Sequence, residues 1–181
     1  ANLDWELTQK TINAQVSKNK LVISQGFIGS DDNNFTTTLG REGSDYTAAI
    51  FAYALNAESV TIWKDVPGVL NGDPRVFENT KLLNQISYTE AIELAFYGAS
   101  VIHPKTLQPL QRKEIPLYVR SFLNPEGAGT SVSKGKTLEP HIPCYILKPK
   151  QVLIRLSSLD FSFMVEDNIS EVFALLYQYQ M

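Results

Sequence analysis

One cysteine, two histidines, two methionines and two tryptophans among 181 residues leave little material for several kinds of chemistry. The lone Cys144 excludes an internal disulfide framework and fits a reducing compartment; following Pro143, it reads as a small, partly buried side chain. His103 and His141 lie far apart, so neither a metal cluster nor a catalytic triad finds its partners, and no protein metal site is expected. No stretch approaches the roughly 20 apolar residues of a membrane span, and the polar start ANLDWELTQK lacks a secretory pattern. The expected location is the cytoplasm. Basic charge is not in excess either: 16 Lys and Arg stand against 19 Asp and Glu, a formal charge of −3. No polybasic surface for nucleic acid or anionic lipid is therefore expected. Internal repeats and low-complexity tracts are absent.

What is present is an ordinary globular composition, 44% hydrophobic and 19% charged, enough for one domain and a fraction of another. Leu21 to Ser24 is a short apolar run closed by Gly26 and Gly29, which reads as a buried strand feeding a loop. In DYTAAIFAYALNA, Ala48, Phe51, Ala52 and Leu55 fall at i, i+3, i+4 and i+7, the spacing of one helical face. SVTIWKDV, Ser59 to Val66, reads as a strand ending in charged residues. Strand, loop, helix and strand make a βαβ unit, hence an α/β fold with a largely parallel sheet covered by helices.

Further along, SYTEAIELAFYGA opens with Ser87 three residues before Glu90, a capping box, and stops at Gly98. A short helix is expected after Pro104, since proline suits the first helical position, and PLYVRSF, Pro116 to Phe122, reads as a strand. NPEGAGTSVSKGKTLEPHIPC, 124–144, is rich in Gly, Pro and Ser without periodicity, the profile of a connecting segment. Beyond it QVLIRLSS is strand-like. DNISEVFALLYQYQ sets Ile169, Val172, Phe173 and Leu176 on one helical face behind Asp167 as a candidate cap. These last residues are too few for a core of their own and read as the start of a second domain.

The loop TTTLGREGSDYTAA, Thr36 to Ala49, concentrates hydroxyls, glycines and charges just before a helix. If Ser44 or Asp45 caps that helix, the N–H groups and positive dipole end of its first turn favour an anion. Arg41 adds a fork that grips carboxylate or phosphate with two parallel hydrogen bonds, and Gly40 and Gly43 allow close backbone approach to a ligand. A surface loop with an ordinary cap and a solvated arginine accounts for the same spacing. Downstream, NGDP is open to reading as a tight turn.

QGFIGSDDNNFTTTLGREGSDYTAA, WKDVPGVLNGDPRVF, ISYTEAIELAFYGASVIHPKTLQPL and NPEGAGT together closely resemble the C-terminal half of the catalytic domain of aspartate kinases, within the amino acid kinase family. The similarity runs from about Val22 to Thr130. The tail from Lys148 resembles the first strand and helix of the ACT regulatory domain that follows it. The resemblance implies a three-layer αβα sandwich, with residues 1–123 in the catalytic domain, 124–147 a linker and 148–181 an incomplete ACT-like segment.

It also implies transfer of the ATP γ-phosphoryl group to the side-chain carboxylate of L-aspartate with Mg²⁺, on the way to lysine, threonine and methionine. A homo-oligomer, with lysine or threonine as allosteric ligand through the ACT domain, is implied as well. A carboxylate with a pKa of about 3.9 is already ionised at neutral pH, so no general base is needed to make the nucleophile. The obstacle is repulsion between anions, which cations, helix N-termini and backbone amides relieve.

By resemblance, Arg41 holds a carboxylate of the aspartate, with Ser44 as a donor beside it, and Asp45 is the catalytic residue that organises lysines around the transferring group. Phe27 corresponds to a substrate-pocket aromatic, with a core phenylalanine as the lesser reading. On the nucleotide side, where strands present their carboxyl ends, Lys64 and Asp65 border the adenosine, Arg75 reaches the phosphates and Asp73 accompanies it. Glu42, Lys64, Leu70 and Ser100 depart from the family pattern; Glu42 is expected to point away from the anion site. The family's N-terminal glycine-rich phosphate loop with its lysine does not occur in the sequence, so the chain alone is expected to be inactive. Other amino acid kinases, acting on glutamate, acetylglutamate, carbamate or UMP, and a non-catalytic regulatory module remain the alternative readings.

Overall fold

The computed structural model describes residues 3–16, 21–98, 101–155, 157 and 166–179. They divide into two compact units that meet in sequence at Lys148 and Pro149.

The first unit begins with α1, Trp5–Val16, an element the polar start did not announce. Asp4 accepts the N–H of Leu7 at its head. The Trp5 ring lies 4.7 Å from that of Tyr53, and Asn13 donates to the Ala54 carbonyl at 3.1 Å, fastening α1 to the next helix. The run 21–26 forms no strand, with Leu21 and Ile23 83% and 93% exposed. The expected buried strand is thus absent: no described strand pairs with it, and apolar composition alone leaves its backbone groups unsatisfied. A hairpin follows instead, β1, Ile28–Ser30, and β2, Thr36–Thr38, whose turn is closed by Asp31 accepting from Asn33 and Phe35.

Helix α2, Gly43–Leu55, buries Ala49, Ile50, Ala52 and Ala54. Of the face read from sequence, only Ala52 is fully buried; Ala48, Phe51 and Leu55 line a groove instead. Strand β3, Val60–Lys64, comes next, then β4, Gln85–Ser87. Helix α3, Tyr88–Tyr97, carries the capping box in full, with Ser87 Oγ accepting from Glu90 N and Glu90 Oε2 from Ser87 N, and it stops at Gly98, φ 122°. In α4, Pro104–Lys113, the proline takes the first position and His103 is the cap, its Nδ1 accepting the N–H of Lys105. His103 is thereby structural.

Strand β5, Leu117–Ser121, pairs in parallel with β3, Val60 opposite Leu117 and Lys64 opposite Ser121. The segment 124–144, expected to be connecting chain, supplies β6, Thr130–Ser133, which runs antiparallel to β5 and parallel to β4. Short, polar and glycine-flanked, β6 shows no periodicity, yet Thr130 and Val132 are fully buried because strands flank it on both sides. The sheet order β3-β5-β6-β4 is largely parallel and flanked by helices, the expected mixed α/β architecture. Alternation along the strands sends Val60, Ile62, Leu117, Val119 and Val132 into the core with Leu83, Ile86, Leu107 and Leu110. On the opposite face Trp63 is 47% exposed.

In the second unit α5 spans Glu166–Gln178, with Asp167 inside its first turn rather than capping it. Ile169 and Phe173 are exposed, and 151–155 form no strand, since no described strand offers them a ladder.

Candidate functional site

The carboxyl end of β3 and the amino end of α2 lie side by side. Lys64 Nζ meets Asp45 Oδ2 at 2.8 Å, and the two side chains are only 21% and 14% exposed. Partial removal from water makes such a pair stronger than the exposed pairs that contribute little. The residue read from sequence as catalytic and one read as bordering the adenosine are therefore in direct contact.

Helix α2 starts differently from the expectation. Its cap is Glu42, in the left-handed region at φ 53° and ψ 33° and without a side-chain capping bond, so neither Ser44 nor Asp45 caps it. Asp45 sits in the first turn, where Lys64 claims its carboxylate. Glu42 Oε2 is buried without a hydrogen-bond partner, so the side chain does not simply turn out to solvent.

The side chains of Arg41 and Ser44 are exposed and make no hydrogen bond or ion pair with described residues. Gly40, at φ 81°, has open space where a side chain would be. Gly43 is small for another reason: a Cβ there would come within 2.8 Å of the Phe27 ring, so its backbone approaches Phe27 rather than a ligand. Phe27 is 45% exposed at φ 77°, not a core residue. Thr47, which sequence reasoning passed over, holds it: Thr47 Oγ1 accepts from Phe27 N at 3.0 Å and donates to Gly43 O at 2.8 Å. Its spacing of four from Gly43 was the available signal. A groove of about 550 Å³ runs beside this region, lined by Gly26, Ser44, Thr47, Ala48, Phe51 and Leu55 among others.

Asp65 is exposed just past β3. Residues 69–83 then form a hairpin arm. Leu83 N bonds to Val69 O, Leu70 bridges Leu82, and Asn71 N bonds to Lys81 O. Near its tip Asp73 and Arg75 form a fork, with Arg75 Nη2 2.8 Å from Asp73 Oδ2 and Arg75 Nε 3.0 Å from Oδ1. The Arg75 side chain, then its backbone N–H, hold the Asp73 carboxyl below its ordinary range, and the same contact raises the Arg75 guanidinium. Asp73 also accepts through its carbonyl from Val76 and Phe77, which makes the tight turn real. No hydrogen bond or ion pair joins this fork to Asp45 and Lys64. Ser100, one of the departures, lies outside the described residues.

Such an arrangement can hold anions. Arg41 is unengaged, Lys64 is positioned by Asp45, and Arg75 keeps guanidinium N–H groups beyond those given to Asp73. Among the described residues no three His, Cys, Asp or Glu side chains cluster as metal ligands.

A sequence profile of the amino acid kinase family matches residues 1–121. Lysine-sensitive aspartokinase 3 of Escherichia coli is 46% identical over 156 residues, covering 86% of this chain and 34% of that protein. A bifunctional aspartokinase/homoserine dehydrogenase of Arabidopsis thaliana is 41% identical over 131 residues, 71% of this chain and 14% of that one. Among solved structures, E. coli aspartokinase III with aspartate and ADP in the R-state superposes with a TM-score of 0.67 at 47% identity, covering 72% of this chain and 29% of that one. The T-state of that enzyme with lysine and aspartate gives 0.66 at 38% identity, with 96% and 39% covered. The chain thus spans about two fifths or less of the length of these relatives.

Proposed function

We propose that this chain, which belongs to the amino acid kinase family, is the part of an aspartate kinase that holds the acceptor and one flank of the nucleotide. The Asp45–Lys64 pair at the head of α2, with the unengaged Arg41 four residues before Asp45, carries this reading. An aspartate carboxylate docks on Arg41, with Ser44 donating beside it and Phe27 walling the pocket. The other carboxylate attacks the γ-phosphorus of ATP; a P–O bond to aspartate forms as the bond to ADP breaks, and no proton need be removed. Lys64, bordering the adenosine in the reading from sequence, instead counters the charge on the transferring group, because Asp45 holds it. Asp65 borders the nucleoside, while Arg75, steadied by Asp73, reaches the phosphates. Mg²⁺ is expected to arrive on the nucleotide, since this ion keeps several waters and takes few protein ligands; it would neutralise phosphate charge.

The relatives' aspartate, ADP and lysine support L-aspartate and ATP as substrates and lysine as effector, with threonine as the effector to compare. By the same resemblance the catalytic part extends to about 123, with β6 of the 124–147 segment packed back onto it, and 148–181 begins an ACT-like domain. The parent protein is a homo-oligomer in this reading. A single cysteine supports a cytoplasmic setting, and no described helix is long and apolar enough to cross a membrane.

Hydroxamate trapping of aspartyl phosphate tests the assignment. With ADP release followed alongside, since UDP is no acyl phosphate and gives no hydroxamate, the full-length protein is expected to turn over aspartate but not glutamate, acetylglutamate, carbamate or UMP, and the 181-residue chain alone to show no turnover. Turnover of one of the other acceptors in place of aspartate would replace the reading by another kinase of the family. Lysine binding without nucleotide binding would favour the regulatory module.

A further inference from the structure

Asn71 lies at the waist of the hairpin arm and uses every polar group it has. Its backbone N–H and side-chain Oδ1 both engage Lys81, at 3.0 and 2.7 Å, and close the arm on itself. Its remaining groups face elsewhere. Asn71 Nδ2 donates to the Pro143 carbonyl at 3.0 Å, and the Asn71 carbonyl accepts the N–H of Tyr145 at 2.7 Å. Phe77, farther out on the arm, adds its ring 5.7 Å from that of Tyr145. A single side chain thus belongs at once to the arm and to the segment 143–145, more than 70 positions later, just before the second unit begins at Pro149.

We propose that Asn71 and Tyr145 are positioning residues that clasp the arm to the 143–145 segment, setting where Asp73 and Arg75 stand relative to the nucleotide phosphates. The role in phosphate binding rests on the function proposed above; the clasp itself rests on the contacts alone. The arm's base is fixed independently, because Thr130 Oγ1 accepts from Val69 N and donates to Leu83 O. The distal half, 72–80, has no comparable buried anchor, and its fork is exposed. Releasing Asn71 therefore frees the part that carries Arg75 without unseating the base. Displacement of 143–145 would move the same part, which couples the nucleotide flank to the path of the chain toward the second unit.

Asn71→Asp separates the two jobs. A carboxylate still accepts from Lys81 N, keeping the arm closed, but has no N–H for Pro143 O and sets a negative charge against that carbonyl. Tyr145→Ala removes the ring from the other side, and Tyr145→Phe keeps it. In the full-length protein, hydrogen exchange at 72–80 is expected to accelerate in Asn71→Asp and Tyr145→Ala while β5 amides at 117–121 stay protected, which also shows that the variants fold. The dissociation constant for MgADP is expected to rise roughly tenfold in both, with the aspartate KM unchanged, and Tyr145→Phe is expected to restore both properties. Unchanged exchange at 72–80 overturns the clasp, and faster exchange with unchanged MgADP affinity overturns its positioning role. MgADP binding needs no turnover, so a full-length protein inactive toward aspartate would defeat the functional assignment while these measurements still decide the clasp.

Discussion

The Arg41 side chain is exposed and without a partner among the described residues, so its fork of five donors is available to a ligand. Arg41→Ala in the full-length enzyme is expected to raise the aspartate KM and lower turnover, at a cost of about 2–5 kcal/mol if the substrate carboxylate is desolvated, with nucleotide affinity nearly unchanged. Arg41→Lys should recover only part, because an ammonium cannot reproduce the planar fork. Steady-state kinetics with each substrate varied in turn make the check; unaltered aspartate kinetics would remove the substrate role. At this scale the sequence carried residue types and neighbours but not contacts. Arg41, Ser44 and Asp45 are consecutive or nearly so, and one motif contains them. That Asp45 meets Lys64, or that Thr47 holds Phe27, depends on how α2 packs beside β3 and the 27–39 loop. Nothing in local spacing encodes either contact.

Elements specified by their own ends were the legible ones. The helix from Tyr88 could be read because its signals, Ser87, Glu90 and Gly98, act over three or four residues through bonds to its own backbone. Ser87→Ala, which removes the acceptor for Glu90 N, is expected to destabilise the first unit by about 1 kcal/mol. A lower urea midpoint at unchanged slope would show it. Strands behaved otherwise. The apolar run at 21–24 has the composition of a buried strand and no described partner, whereas 130–133 has the composition of a loop and becomes a buried strand between β5 and β4. A strand is a property of its neighbours, so sequence over-read the first and missed the second. Helix α1, weakly amphipathic and dependent on Tyr53 and Ala54 for its seat, was missed for the same reason.

Across the first unit, one buried hydroxyl ties stability to alkaline pH. Tyr88 is 3% exposed and donates to the Ile115 carbonyl. Burial, and then the negative charge of Glu114, push its ionisation up to about 12 from 10.0. The unfolded chain releases that proton near 10, so the contribution is complete below pH 10 and is lost as pH rises toward 12. A decline of roughly 2–3 kcal/mol over that interval is expected from a shift of this size, and Tyr88→Phe should abolish this component in denaturation curves taken at pH 9 and 11.5. Thr130 has a consequence of a different kind, one of order in time. Its hydroxyl joins Val69 and Leu83, partners 61 and 47 positions earlier. A chain emerging from the ribosome therefore carries the whole arm well before the residue that seats both its ends has been made. Closing contacts of that span is slow in entropic terms, so the arm can close on itself through Asn71 and Lys81 early, but its seating on the sheet waits on β6.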